Sequence, residues 1–211
     1  MRGPARILPD HGFNFQNFKA NHSLAFRRIM RKPFLLLISV SFAVLLLGGF
    51  YRAFFILFLK QELAWSQNLI LVFGALSSFL FLPISLWIIK KLGTQETKKT
   101  IFQGGVIFGI FTILFGAAAS FLNFLSVLVI DLGKSIGGFM VNSGRSGQVN
   151  KKLKNFPEEA GAIDTIFAPL GTALGSLISG FLIGFLGFNL MFILGGISIA
   201  AICQILKFRL R

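Results

Sequence analysis

From residue 34 onward the chain is a near-continuous series of apolar stretches about twenty residues long, and that pattern leaves few folds open. A helix of about 20 apolar residues spans the roughly 30 Å hydrocarbon core of a bilayer. A soluble core of this size would show polar faces alternating with apolar ones. Six stretches qualify as spans: residues 34–59, 67–89, 100–122, 124–142, 160–186 and 189–206. The second contains Pro83 and the fifth contains Pro169, each of which removes a backbone donor and is expected to kink its helix. The expected fold is therefore an all-α integral membrane protein, a six-transmembrane-helix bundle over residues 34–211 behind a basic segment over 1–33. Composition agrees, because charged residues are 13% of the chain, where soluble domains carry about 25%. The first 33 residues are polar and basic. The apolar run after them is too long for a signal-peptide core and is followed by no small-residue cleavage site, so no cleavable signal is expected.

The net charge of +14 would point to nucleic acid in a soluble protein, but its placement points elsewhere. Arg2, Arg6, Lys19, Arg27, Arg28, Arg31 and Lys32 precede the first span. Lys90, Lys91, Lys98 and Lys99 follow the second, and Arg145, Lys151, Lys152 and Lys154 follow the fourth. Lys207, Arg209 and Arg211 close the chain. These eighteen of the 21 basic residues fall on one side of the expected topology, and Lys60 alone falls in a loop on the other. Lys and Arg prefer the cytoplasmic face, so both termini are expected there, with anionic lipid as the charged partner and no nucleic acid. Trp65 falls in the short outer loop, where an interfacial aromatic anchor belongs. The outer turns near Asn123 and at 187–189 are short enough for tight hairpins.

Enzyme chemistry fails on inventory. The only histidines, His11 and His22, precede the first span, which leaves no His for a metal site or a Ser–His pair inside the membrane. No phosphate-cradling Gly loop with Lys and Ser/Thr occurs, so neither a metal nor another cofactor is expected. The single cysteine, Cys203, rules out an internal disulfide.

Several short pieces carry a family likeness. They are "LPD" at Leu8–Asp10 with "FRRIMRKPF" at Phe26–Phe34, "FLKQELAWSQ" at Phe58–Gln67, "IIKKLG" at Ile88–Gly93, and "FPEEAGAIDTIFAPLGTALGSLISG" at Phe156–Gly180. Together the chain resembles the C-terminal half of a major facilitator superfamily transporter, helices seven to twelve of twelve, nearest to the bicyclomycin- and chloramphenicol-type drug efflux branch. It departs from that branch at Ser85, Leu86 and Trp87, where a Gly and an Asp usually precede the basic turn. The resemblance implies 3+3 inverted helix repeats and a bacterial inner-membrane location. It also implies small-molecule transport, here drug efflux by proton antiport. Because such proteins have two six-helix halves, it further implies a truncated chain inactive alone, or a partner in the form of a separate N-terminal half or a second copy. A membrane assembly or regulatory protein that kept only the fold is the alternative.

Ionisable residues inside a span cost about 2.5–3.5 kcal/mol by insertion scales and need a partner or a wet cavity. Arg52 and Asp131 fall at comparable depth, about 8 Å and about 3 Å outward of their spans' midpoints at a rise of about 1.5 Å per residue. The resemblance puts both of these spans on the central path. Asp131 is then a proton or cation site with Arg52 as counter-charge, unless the two form a structural ion pair or Arg52 snorkels outward. Lys134 shares a helix face with Asp131 at i, i+3, where it either neutralises that carboxylate or meets an anionic substrate. Asp164, with Thr165, sits in the first turns of the fifth span, where an acid complements the helix dipole or gates the cytoplasmic mouth. Glu158 and Glu159 read as solvated loop acids. Tyr51, Gln103 and Asn142 are candidates for helix–helix hydrogen bonds or substrate contacts.

Gly105 and Gly109, Gly133 and Gly137, Gly171 and Gly175, and Gly180 and Gly184 are each four apart, the spacing of close helix contacts. The resemblance implies that the fifth span lies where the two halves meet, so its run of glycines is expected to form an outward groove for a helix from another chain.

Overall fold

The computed structural model describes residues 32–92, 96–155 and 157–209, and these are almost wholly helical. The basic segment expected over 1–33 lies outside them but for its last two residues, as do Thr94 and the C-terminal pair 210–211. In chain order the helices are α1 (Lys32–Gln61), α2 (Gln67–Leu92), α3 (Thr97–Ala117), α4 (Phe124–Lys152) and α5 (Pro157–Arg209). All five are long and apolar enough to cross a membrane. Leu71, Phe79, Leu86, Phe181 and Phe185 stand more than 60% exposed on the bundle surface, as a lipid-facing protein requires and a soluble one avoids.

α5 is 53 residues long, about 80 Å at a rise of about 1.5 Å per residue, far more than one crossing needs. Its backbone leaves helical geometry at Gly187, with φ 69° and ψ 171°. Contacts with α1 trace the two limbs on either side of that point. Phe42 packs edge-on against Phe167 at 5.2 Å and Ser176 donates to the Gly49 carbonyl at 3.2 Å, so the first limb rises with α1. Past Gly187, Phe192 meets Tyr51 at 5.8 Å and Gly195 abuts Leu47, so the second limb runs back along α1. Only a residue without Cβ adopts that positive φ readily, which is why the reversal takes a single position. Pro83 and Pro169 both lie inside helices that continue through them.

The fourth span was expected to end at residue 142, but α4 continues to Lys152. Hydropathy does not see this extension because its sequence is polar. α3 holds it instead: Gln148 donates to Thr97 Oγ1 at 2.6 Å, and a methyl on Gly144 would lie 2.7 Å from Ile101. Arg145 and Lys151, expected in a loop, are therefore on the helix. At its other end α4 begins on a reciprocal capping box between Asn123 and Ser126.

α3 packs mainly on α4 and α5, α1 mainly on α5, and α2 leans chiefly on α4. Backbones approach through glycine. A methyl on Gly109 would lie 2.8 Å from the Gly196 carbonyl oxygen, and one on Gly104 would lie 2.7 Å from that of Gly137. Gly105 faces Cys203 and Gly133 faces the Phe111 ring. Gly171 and Gly175 correct the expectation of an outward groove, because Leu45 and the Leu46 carbonyl of α1 already fill that space. Gly180 and Gly184, further along, meet nothing within 4 Å. Phe58, Phe115 and Phe192, all at most 2% exposed, interlock α1, α3 and the second limb with ring centroids 4.8–6.1 Å apart. Trp65 closes the α1–α2 turn against Phe73 and Phe124 at 5.6 and 5.7 Å.

Cys203 is 1% exposed in this packing. The thiol should therefore resist maleimide in the folded protein and react only on denaturation. Rapid labelling in mild detergent, before any thermal transition, would contradict the α3–α5 packing.

Candidate functional site

Asp131 lies on α4 about 10 Å from that helix's start, counting about 1.5 Å per residue. Ser77 on α2 and Tyr51 on α1 lie about 15 Å from the ends of their helices that border the same turn, by the same rise. The three meet at mid-depth of the bundle. Ser77 Oγ donates to Asp131 Oδ2 at 2.7 Å, and the Tyr51 hydroxyl donates to Oδ1 at 3.2 Å. Lys134 Nζ stands 3.5 Å from the same Oδ1, the one ion pair among the described residues. Lys134 also rests on the face of the Tyr51 ring, with the Phe55 centroid 5.6 Å away. The carboxylate and the ammonium are 15% and 8% exposed, so both are largely withdrawn from the surroundings.

The counter-charge of Asp131 is thus Lys134, one helical turn away, rather than Arg52. Arg52 is exposed and forms no ion pair among the described residues. Both cations and the carboxylate line one cavity of about 820 Å³, bounded by α1, α2, α4 and the first limb of α5. Phe55, Phe81, Phe139, Ser78, Ser135 and Thr172 form part of its wall. α2 and α5 meet at most marginally, so the side of the cavity between them is not sealed by helix packing.

Other sequence-level candidates divide. Asn142 lines the cavity, and its Oδ1 is buried with no hydrogen-bond partner. Gln103 sits on an exposed face of α3 away from the cavity. Thr165 is exposed and donates to the Gly161 carbonyl at 2.8 Å. Glu158 is exposed in the first turn of α5, not in a loop. The side chains of Asp164 and Glu159 lie outside the described residues. Ser77 was not legible from sequence. The signal available was a hydroxyl at the depth of an intramembrane acid, and hydroxyls are common in such helices. Among the described residues no group of three His, Cys, Asp or Glu is placed to hold a metal ion.

A second cavity of about 670 Å³ lies between α1 and the two limbs of α5. Its walls are apolar except for Ser39 and Ser198, both of which donate to their own helix backbone. It offers volume but no group able to orient a polar ligand.

Chemically, the Asp131 cluster is a carboxylate held by two hydroxyls and one ammonium beside an open, mixed polar and aromatic space. It can accept a proton, and accepting one would weaken its hold on Lys134 and Tyr51. No family profile, curated protein or solved structure matches the chain.

Proposed function

We propose that this chain is one six-crossing half of a transporter that moves a small molecule across a membrane by alternating access, with both ends in the cytoplasm. The observation that carries the reading is the Asp131–Lys134 pair at mid-depth in a cavity that α2 and α5 leave unsealed. Buried charge inside a span is costly and points to a substrate or proton path, because packing alone favours apolar side chains there. Arg52, exposed in the same cavity, would face hydrocarbon if lipid covered the opening. A second helical body enclosing water satisfies it at lower cost. The limbs of α5 on either side of Gly187 supply the fifth and sixth crossings. Lys90, on the α2 end away from that turn, and Lys98 and Lys99 at the start of α3 favour a cytoplasmic face there. The resemblance to the major facilitator superfamily, with efflux by proton antiport in a bacterial inner membrane, fits this arrangement. In that scheme Asp131 takes a proton from one side, frees Lys134 for the other conformation, and yields the proton on the return.

Thiol accessibility tests the water-filled path. Ser78 lines the cavity, and its neighbour Phe79 is 71% exposed but does not line it. In native membranes Ser78→Cys should react with a charged, impermeant thiosulfonate applied from either face. Phe79→Cys should stay inert, because a thiol in hydrocarbon does not ionise. If Ser78→Cys is as unreactive as Phe79→Cys, or reacts from one face only, the path reading is wrong.

A further inference from the structure

Resting on the transport reading, we infer that the cavity selects small amphipathic anions, an acid head group on an aromatic or aliphatic body. Three charged side chains line the cavity among the described residues, Arg52, Asp131 and Lys134, and the last two cancel. Lys134 stands 3.5 Å from Asp131, whose two oxygens also accept from Ser77 and Tyr51. Arg52 is the surplus charge, exposed in the cavity and without an ion pair among the described residues. A guanidinium presents its N–H donors in a planar fork that fits a carboxylate through two parallel hydrogen bonds. At mid-depth of a bilayer such a charge gains from any anion that reaches it, whereas a cation adds like charge to a space already positive.

The walls select the rest of the ligand. Phe81 and Phe139 pack edge to face at 5.8 Å across α2 and α4, and Phe55 extends the aromatic surface on α1. Their ring faces suit a flat or aliphatic body. The volume of about 820 Å³ admits molecules well above the size of a simple inorganic anion. Lipid head groups carry similar charge but sit at the interface, while Arg52 lies about 14 Å from the end of α1 at a rise of about 1.5 Å per residue. The ligand is therefore a solute.

Titration calorimetry on the full chain in nanodiscs of neutral phosphatidylcholine tests this, with empty discs subtracted and no anionic head group present to compete. The probes are 3-phenylpropionate, 3-phenylpropylamine and 3-phenylpropanol, which share a body and differ in charge. The acid should bind about tenfold or more tighter than the amine, the scale of one charged hydrogen-bonded contact. Arg52→Gln should remove that margin while leaving the alcohol unchanged, and Arg52→Glu should reverse it in favour of the amine. Equal binding of all three probes, preference for the amine, no heat beyond empty discs, or an acid margin that survives Arg52→Gln would each overturn the inference. A chain that binds the acid through Arg52 while Ser78→Cys stays inert from one face keeps this site and loses the transport reading.

Discussion

Replacing Asp131 with alanine is expected to destabilise the folded bundle by about 3–5 kcal/mol, the penalty for breaking a buried ion pair from one side. The carboxylate is the only ion-pair partner that Lys134 has among the described residues, and the Lys134 side chain is 8% exposed. Removing it leaves an ammonium on the Tyr51 ring with no opposite charge, and leaves the Ser77 hydroxyl without its acceptor. Asp131→Asn should cost less, because the amide oxygen still accepts from one of the two hydroxyls and the amide N–H can donate to the other. The double variant Asp131→Ala, Lys134→Met should recover most of the loss. An apolar side chain of similar length needs no counter-charge in that place, and replacing a whole buried pair is often near neutral. Melting in detergent, followed by exposure of the Cys203 thiol, reads all of these on one scale. Additive losses in the double variant would mean that the two groups do not act as a pair. Stability regained this way should not restore coupling, since the proton-accepting carboxylate is gone.

Gly175→Ala is expected to destabilise the bundle by about 3 kcal/mol, at the upper end of what overpacking costs. The added methyl would overlap the Leu46 carbonyl oxygen, and backbone gives way less readily than a side chain. α1 and the first limb of α5 would have to separate, straining the Ser176 Oγ to Gly49 carbonyl bond of 3.2 Å beside it. The same change at Gly180 or Gly184 meets open space, and alanine's better helix propensity should leave those variants neutral or more stable by up to about 1 kcal/mol. The thiol-melting midpoint should fall by on the order of 5–10 °C for Gly175→Ala and not at all for the other two. A midpoint for Gly175→Ala equal to wild type would show that α1 and α5 do not pack as described.

That contrast marks how far one dimension reaches. Hydropathy located each of the five helices among the described residues but divided α5 into two spans, because partition into a bilayer depends on the apolar content of a segment and on little else. It missed the ten mostly polar residues that carry α4 past its expected end, because their helicity rests on Gln148 and Gly144 seated against α3. The Asn123 turn was legible in the sequence as a short break between apolar runs, and the structure adds the capping box with Ser126 that starts α4 there. So was the turn near Gly187, whose φ of 69° suits a residue without Cβ. Arg52, Asp131 and Lys134 stood out as ionisable residues in apolar runs, and all three line one cavity. Their partnership could not be read from sequence. Depth made Arg52 a fit counter-charge, but the rotation of α1 turns Tyr51 inward and Arg52 into the open, so Lys134 takes the carboxylate. The four-residue glycine spacing likewise announced close approach without saying to what. Gly171 and Gly175 meet α1 while Gly180 and Gly184 on the same limb meet nothing. Spacing determines which residues share a helix face. Which neighbour that face meets depends on how each helix is rotated and tilted against the others, and only tertiary packing settles that.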